Sequence, residues 1–118
     1  MNATSVLTLS RLNLGVSDLD HSERFYRDVL DLPTRRLTDS VVVTWPSFTL
    51  VLTPRPPADR GKFCFGFGVE SAEEVDRWAH RLRAAKVDMV SGPSSDGTIR
   101  QISFVDPDNY EIEIFAGR

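Results

Sequence analysis

The chain has 118 residues, of which 41% are hydrophobic and 26% charged, the composition of a single soluble globular domain. A net charge of -3 provides no basic surface for phosphate groups, and no apolar stretch is long enough to cross a bilayer, so nucleic-acid and membrane partners are not expected. The amino terminus lacks the basic flank and apolar run of a secretory signal, which predicts a cytoplasmic protein.

The first predicted elements are a strand and a helix. Apolar residues alternate over 7–17, which predicts a strand that ends at two aspartates. Apolar residues then recur at helical spacing, so a helix is expected over 22–32, with Asp20 as its N-cap and Pro33 ending it.

Two strands and a linker complete the first half. The strands are predicted over 41–45 and 48–53, and Pro46-Ser47 between them indicates a hairpin. The proline-rich stretch at about 54–61 is typical of a linker.

After the linker the same order begins again. A strand is predicted over 63–69, followed by a helix that Ser71 opens as N-cap, with Glu74 completing a capping box. The later elements are predicted to be a short strand at 87–90, a loop through SGPSSDG, and strands at 99–105 and 110–115.

The two halves are related by a constant offset. Leu14 and Phe67, and likewise Val16 and Val69, are separated by 53 positions at the ends of the two opening strands. Neither half has a core large enough to stand alone, so the two must pack together. We predict one domain over 1–118, with one module at about 6–54 and a second at about 62–117.

Two motifs carry a family resemblance. The segment RLNLGVSDLDHSERFYRDVLDL resembles the opening of vicinal oxygen chelate proteins, which share the glyoxalase, bleomycin-resistance and dioxygenase fold, and FVDPDNYEIEIF resembles their closing hairpin and Glu-bearing strand. Asp31 and Asn109 stand where glycine is usual, and Asn tolerates a left-handed backbone. The resemblance implies an α+β fold of two tandem βαβββ modules that form a curled mixed sheet around an open cleft, with helices on the side of the sheet away from the cleft.

Strand alternation predicts which side chains line that cleft. On each strand one set of alternating residues is apolar and faces the helix, and the other set faces the cleft. The predicted cleft residues are Arg11, Asn13, Gly15, Thr49, Val51, Thr53, Cys64, Gly66, Gly68, Glu111, Glu113 and Phe115.

The resemblance places the family's metal-ligand positions on Arg11, Val51, Cys64 and Glu113. Only Glu113 matches the usual set of histidine, glutamine and glutamate, and a protonated arginine repels a divalent cation. We therefore expect no metal and no other cofactor, with a divalent metal as the alternative. His21 and His80 lie on the predicted helices, so both are interpreted as solvated helix residues.

Arg11 and Glu113 occupy positions that converge in metal-bearing relatives, so their side chains are expected to lie within reach of each other. The pair is either a polar anchor for a ligand or a structural salt bridge. Cys64 next to Arg11 is either an acidified, reactive thiolate or a small residue packed in the cleft.

The leading function is a metal-independent small-molecule-binding protein of the glyoxalase/bleomycin-resistance type, with its ligand in the cleft at a homodimer interface. One alternative is a lyase, isomerase or dioxygenase that uses Glu113 as general base or as a ligand of an atypical metal site. The other alternative is a dimerising accessory domain that binds no ligand.

Overall fold

The computed structural model describes residues 7–57 and 63–117, which form two modules with the same element order. Module one contains β1 (Arg11–Val16), α1 (Leu19–Arg24), a π-helical turn (Phe25–Val29) that continues α1, β2 (Thr34–Arg36), β3 (Val41–Trp45) and β4 (Phe48–Pro54). Module two contains β5 (Cys64–Gly68), α2 (Ala72–Ala84), β6 (Met89–Asp96), β7 (Ile99–Val105) and β8 (Glu111–Ala116). None of these helices is long and apolar enough to span a bilayer.

Each module builds a four-stranded mixed sheet. The strand order is β1-β4-β3-β2 in module one and β5-β8-β7-β6 in module two. In each sheet the first strand of the module pairs in parallel with the last, and the other pairs are antiparallel. The tandem βαβββ architecture predicted from the sequence is confirmed, and β1 and β5 each form one edge of a sheet.

The helix-facing sides of both sheets meet in one hydrophobic core. Two aromatic contacts join the modules: the ring centroids of Phe25 and Phe104 are 6.5 Å apart, and those of Trp45 and Phe67 are 6.0 Å apart. The fully buried strand residues alternate along their strands, as at Leu14 and Val16, which is why the sequence period of two identified them. Among the described residues every strand pairing lies within one module.

A hydrogen-bond network, buried around Asp106 and partly buried elsewhere, also joins the modules at the turn between β7 and β8. The Tyr26 hydroxyl donates to Asp106 Oδ2 at 2.6 Å, and the Asp106 Oδ1 atom accepts from two backbone N–H groups of its own turn. The Ser17 hydroxyl donates to Asp108 at 2.6 Å, and the Tyr110 hydroxyl donates to the Gly15 carbonyl at 2.7 Å. We call these residues the inter-module network.

The two helix starts differ in how well they were predicted. Ser71 caps α2 as expected, since its hydroxyl accepts from the Glu74 N–H. The predicted N-cap Asp20 is wrong: Asp18 accepts from the backbone N–H of His21 and α1 begins at Leu19. Asp18 has extended backbone geometry at the end of the preceding strand, which suits an N-cap, whereas Asp20 lies inside the first turn.

Two segments differ from the predicted strands. The stretch SGPSSDG was predicted as a loop, but most of it belongs to β6, which pairs with β7 through two register shifts. Residues 7–10 were predicted as strand but lie outside β1, and Leu7 and Leu9 are 98% and 82% exposed. Asp31 and Asn109 have φ values of 59° and 67°, which is left-handed backbone geometry. The prediction that Asn109 takes this geometry where the family has glycine is confirmed.

Candidate functional site

The side of each sheet opposite its helix carries the residues predicted to line a cleft, and we call it the outer face. On module one, Arg11 lies beside Thr49 and Asn13 beside Val51. On module two, register places the predicted site residues beside one another in the pairs Cys64 with Glu111, Gly66 with Glu113, and Gly68 with Phe115. All these residues are exposed or partly exposed, whereas their strand neighbours on β4 and β8 are buried, so alternation assigned both faces correctly.

The outer face of module two combines a carboxylate, an aromatic ring and two glycines. A Cβ atom at Gly66 would lie 3.3 Å from both Phe115 Cε1 and Glu113 Cβ, and one at Gly68 would lie 3.7 Å from Phe115 Cζ. The Phe115 ring therefore lies against β5. Gly66, the register partner of Glu113, contributes no side chain of its own to this part of the face.

Cys64 has acidic rather than basic neighbours. Desolvation of the thiol raises its pKa, and the nearby carboxylates of Glu113 and Glu111 raise it further. Within one chain these neighbours disfavour the thiolate that the interpretation of Cys64 as a reactive residue requires, and the side chain is exposed rather than packed.

One end of the outer face of module one is covered by the chain itself. Gly15, predicted to face the cleft, is covered by the chain that leaves β4, since a Cβ atom there would lie 2.5 Å from the Pro56 carbonyl oxygen. Thr53 donates from Oγ1 to the Leu14 carbonyl at 3.4 Å. The open part of this face is therefore formed by Arg11, Asn13, Thr49 and Val51.

The structure does not bring Arg11 and Glu113 together within one chain. Five side-chain ion pairs join described residues, and neither Arg11 nor Glu113 takes part in any of them. The two residues lie on separate sheets, each on the far side of its sheet from the shared core. The predicted proximity of Arg11 and Glu113 is therefore not found within one chain. Strand alternation assigns each residue to a face of its sheet, but it does not say which faces meet.

Sequence reasoning missed polar residues next to Glu113. Ser103 pairs in register with Glu113 and is 4% exposed, and its hydroxyl lies 2.7 Å from that of Ser91 on β6. Gln101 pairs with Phe115 on the same face. The buried residues Ile102 and Phe104 were a signal that Gln101 and Ser103 face the other way, but Ser91 was hidden by the loop interpretation.

Few of the described side chains on these faces can bind a metal ion. No group of three or more His, Cys, Asp or Glu side chains within residues 7–57 and 63–117 is arranged to hold a metal ion. His21 and His80 are exposed on α1 and α2 and lie on neither outer face, as predicted.

An apolar groove of about 560 Å³ runs along β5. Its walls come from both modules, with Leu9, Leu12 and Trp45 on one side and Phe65 and Phe67 on the other. No charged residue of the described chain lines it. Trp45 and Phe48, assigned to the helix-facing side of their strands, both line it. Cys64, Gly66 and Gly68 of the outer face of module two line it as well, so the groove reaches that face along β5.

Comparisons with known proteins agree with the fold. The family model described as Glyoxalase/Bleomycin resistance protein/Dioxygenase superfamily matches residues 8–114. Metallothiol transferase FosB of Staphylococcus epidermidis is 26% identical over 119 residues, which cover 95% of this chain and 83% of that protein.

Two solved structures are similar over nearly the whole chain. Lactoylglutathione lyase from Agrobacterium tumefaciens has a TM-score of 0.80 at 23% identity, with 97% of this chain and 96% of that one covered. The fosfomycin resistance protein FosX from Listeria monocytogenes has a TM-score of 0.77 at 24% identity, with 98% and 96% covered. At this level of identity the two structures support the fold alone.

Proposed function

Because the chain belongs to the glyoxalase/bleomycin resistance protein/dioxygenase superfamily, we propose that it is a metal-independent small-molecule-binding protein whose groove is formed by the outer faces at a homodimer interface. The observation that carries the proposal is the composition of those faces. They combine a cation at Arg11, carboxylates at Glu111 and Glu113, an aromatic ring at Phe115 and an apolar wall at Val51. Ligand sites in proteins typically consist of apolar surface with a few convergent polar groups.

Metal independence rests on the donor set. Of the four positions that the family resemblance identifies, Arg11 and Val51 supply no ligand atom, and the raised pKa of the Cys64 thiol disfavours the thiolate that metals bind. Glu113 alone does not make a site, because catalytic metal sites of this kind use about three protein ligands.

Elemental analysis of protein purified without a metal-binding tag tests this point. We expect far less than one equivalent of zinc, nickel, manganese or iron per chain in the purified protein. The same result is expected after incubation with each metal and dialysis to remove the unbound ions. About one equivalent that survives dialysis, and is lost in Glu113→Gln but not in Glu73→Gln on α2, would contradict it.

A second candidate function is an enzyme of the lyase, isomerase, dioxygenase or transferase type. The similarity to a metallothiol transferase favours it, with Glu113 as general base or as a ligand of an atypical metal site. Stoichiometric metal at Glu113 in the elemental analysis would support this candidate in place of the first.

A further inference from the structure

The two modules of one chain also form a smaller pocket between them, which we call the inter-module pocket. Its volume is about 190 Å³. Its walls are aliphatic and aromatic, and they include Leu30 and Trp45 from module one and Phe67, Val69, Trp78 and Ile114 from module two. Leu30 and Ile114 are buried, whereas the other four residues are partly exposed. The pocket therefore reaches from the hydrophobic core to the surface.

Aromatic rings from three elements surround this pocket. The ring centroids of Trp45 on β3 and Phe67 on β5 are 6.0 Å apart, with an angle of 41° between the ring planes. The third ring is that of Trp78 on α2, and the Arg81 guanidinium lies 4.7 Å from its centroid. These contacts restrain the rings, so the walls of the pocket are in place before a ligand enters.

The inter-module pocket is unsuited to water and to charged groups. Within the described chain no charged residue lines it, and the polar atoms of its side chains are the indole nitrogens of the two tryptophans. Water in a cavity is held by several polar partners, which these walls do not supply. An apolar cavity of about 150 Å³ is large enough to bind benzene. The size and the lining therefore both match a single aromatic ring.

We propose that the inter-module pocket binds one small, uncharged aromatic molecule, such as a benzene ring with one substituent, independently of the outer faces. Such a molecule gives the wall side chains dispersion contacts that a void does not provide, and its ring packs against those of Trp45, Phe67 and Trp78. A charged ligand would lose its hydration without gaining a partner.

Quenching of tryptophan fluorescence by iodobenzene tests the proposal, because iodine quenches an indole that it contacts. The chain has two tryptophans, and both line the pocket, whereas Trp45 but not Trp78 lines the groove along β5. Trp45→Phe and Trp78→Phe each retain one tryptophan. We expect saturable quenching in both variants at similar iodobenzene concentrations. 4-Iodobenzoate, which adds a carboxylate to the same ring, should bind at least about tenfold more weakly.

Val69→Phe is the variant that fills the pocket. Val69 is a partly exposed wall residue, so a phenylalanine there can occupy the space without entering the core. We expect it to weaken iodobenzene binding at least about tenfold. Val90→Phe is the matched control, since it makes the same change at a 52% exposed position on β6 that does not line the pocket. Its iodobenzene binding should equal that of the wild type.

Circular dichroism checks that each variant is folded. If Val69→Phe does not fold, competition in the wild-type protein replaces it: toluene, which fits the same space but carries no iodine, should restore the fluorescence. Quenching that rises linearly with iodobenzene, as it does for free tryptophan, would overturn the proposal. Quenching of Trp45 alone, equally tight binding of 4-iodobenzoate, unchanged binding in Val69→Phe, or no displacement by toluene would each overturn it as well.

Discussion

Replacing Asp106 with alanine is expected to lower the free energy of unfolding by roughly 3–5 kcal/mol. Asp106 is 3% exposed and accepts hydrogen bonds from the Tyr26 hydroxyl and from the backbone N–H groups of Asp108 and Tyr110. Alanine leaves the Tyr26 hydroxyl without this acceptor in a fully buried position and breaks a contact between the modules. Urea unfolding monitored by circular dichroism measures the change.

Two further variants test whether the loss of stability comes from the hydrogen bonds of Asp106. Asp96→Ala, at an exposed position of the β6–β7 hairpin, should change the free energy of unfolding by no more than about 0.5 kcal/mol. Asp106→Asn preserves the shape of the side chain and the Oδ1 atom that accepts from two backbone N–H groups. It should therefore lower the free energy of unfolding by less than Asp106→Ala does. Equal losses for Ala at positions 96 and 106 would show that the inter-module network does not stabilise the fold.

The Asp106 carboxyl also predicts a pH dependence. Burial raises its pKa, although the bonds from Tyr26 and the backbone oppose that rise. Because its pKa is higher in the folded than in the unfolded protein, protonation of Asp106 stabilises the fold. This contribution is fully present below the unfolded pKa of about 3.9 and is lost as the pH rises through the higher folded pKa. The wild-type protein should therefore lose stability relative to Asp106→Asn as the pH increases from about 4 towards neutrality. A difference that grows in the opposite direction would contradict this.

Gly15→Ala should lower the free energy of unfolding by about 1–3 kcal/mol. Its Cβ atom would lie 2.5 Å from the Pro56 carbonyl oxygen and 2.9 Å from that of Arg55, so the backbone leaving β4 would have to move. The glycine that corresponds to it in module two is Gly68, 53 positions later, where a Cβ atom meets only the Phe115 ring at an ordinary 3.7 Å.

Gly68→Ala is therefore the matched control, and its stability should be unchanged or higher by up to about 1 kcal/mol. The two variants differ only in what covers the outer face at equivalent positions. Equal changes in the free energy of unfolding for the two variants would show that the backbone of Arg55 and Pro56 is not in close contact with Gly15.

The fold was predictable because its signals are local. Alternation along β1, β4, β5 and β8 identified the buried set, since residues such as Leu14 and Ile112 face the core on sheets with one polar side. The repeat then placed both modules in the same order. β6 failed this procedure because Gly92, Pro93 and the serines are typical of a turn, and only pairing with β7 makes the segment a strand.

The site was predictable only in part, for a physical reason. Alternation correctly placed Arg11 and Glu113 on outer faces, but the contact between faces depends on how the modules pack, which no local pattern encodes. Cys64 shows the same limit, because its neighbours proved to be Glu111 and Glu113 of its own sheet rather than Arg11. Ser103 was missed because a polar residue on a strand signals a site only once its register partner is known.

Native mass spectrometry of the purified protein, in the presence of a chelator and with a library of small organic molecules, tests metal-independent ligand binding most directly. We expect a dimer that retains up to two small molecules, with retention reduced by Glu113→Gln and by Phe115→Leu and unaffected by Glu73→Gln on α2. A protein that binds none of the library members, or that binds one only when a divalent metal replaces the chelator, would contradict metal-independent binding on the outer faces.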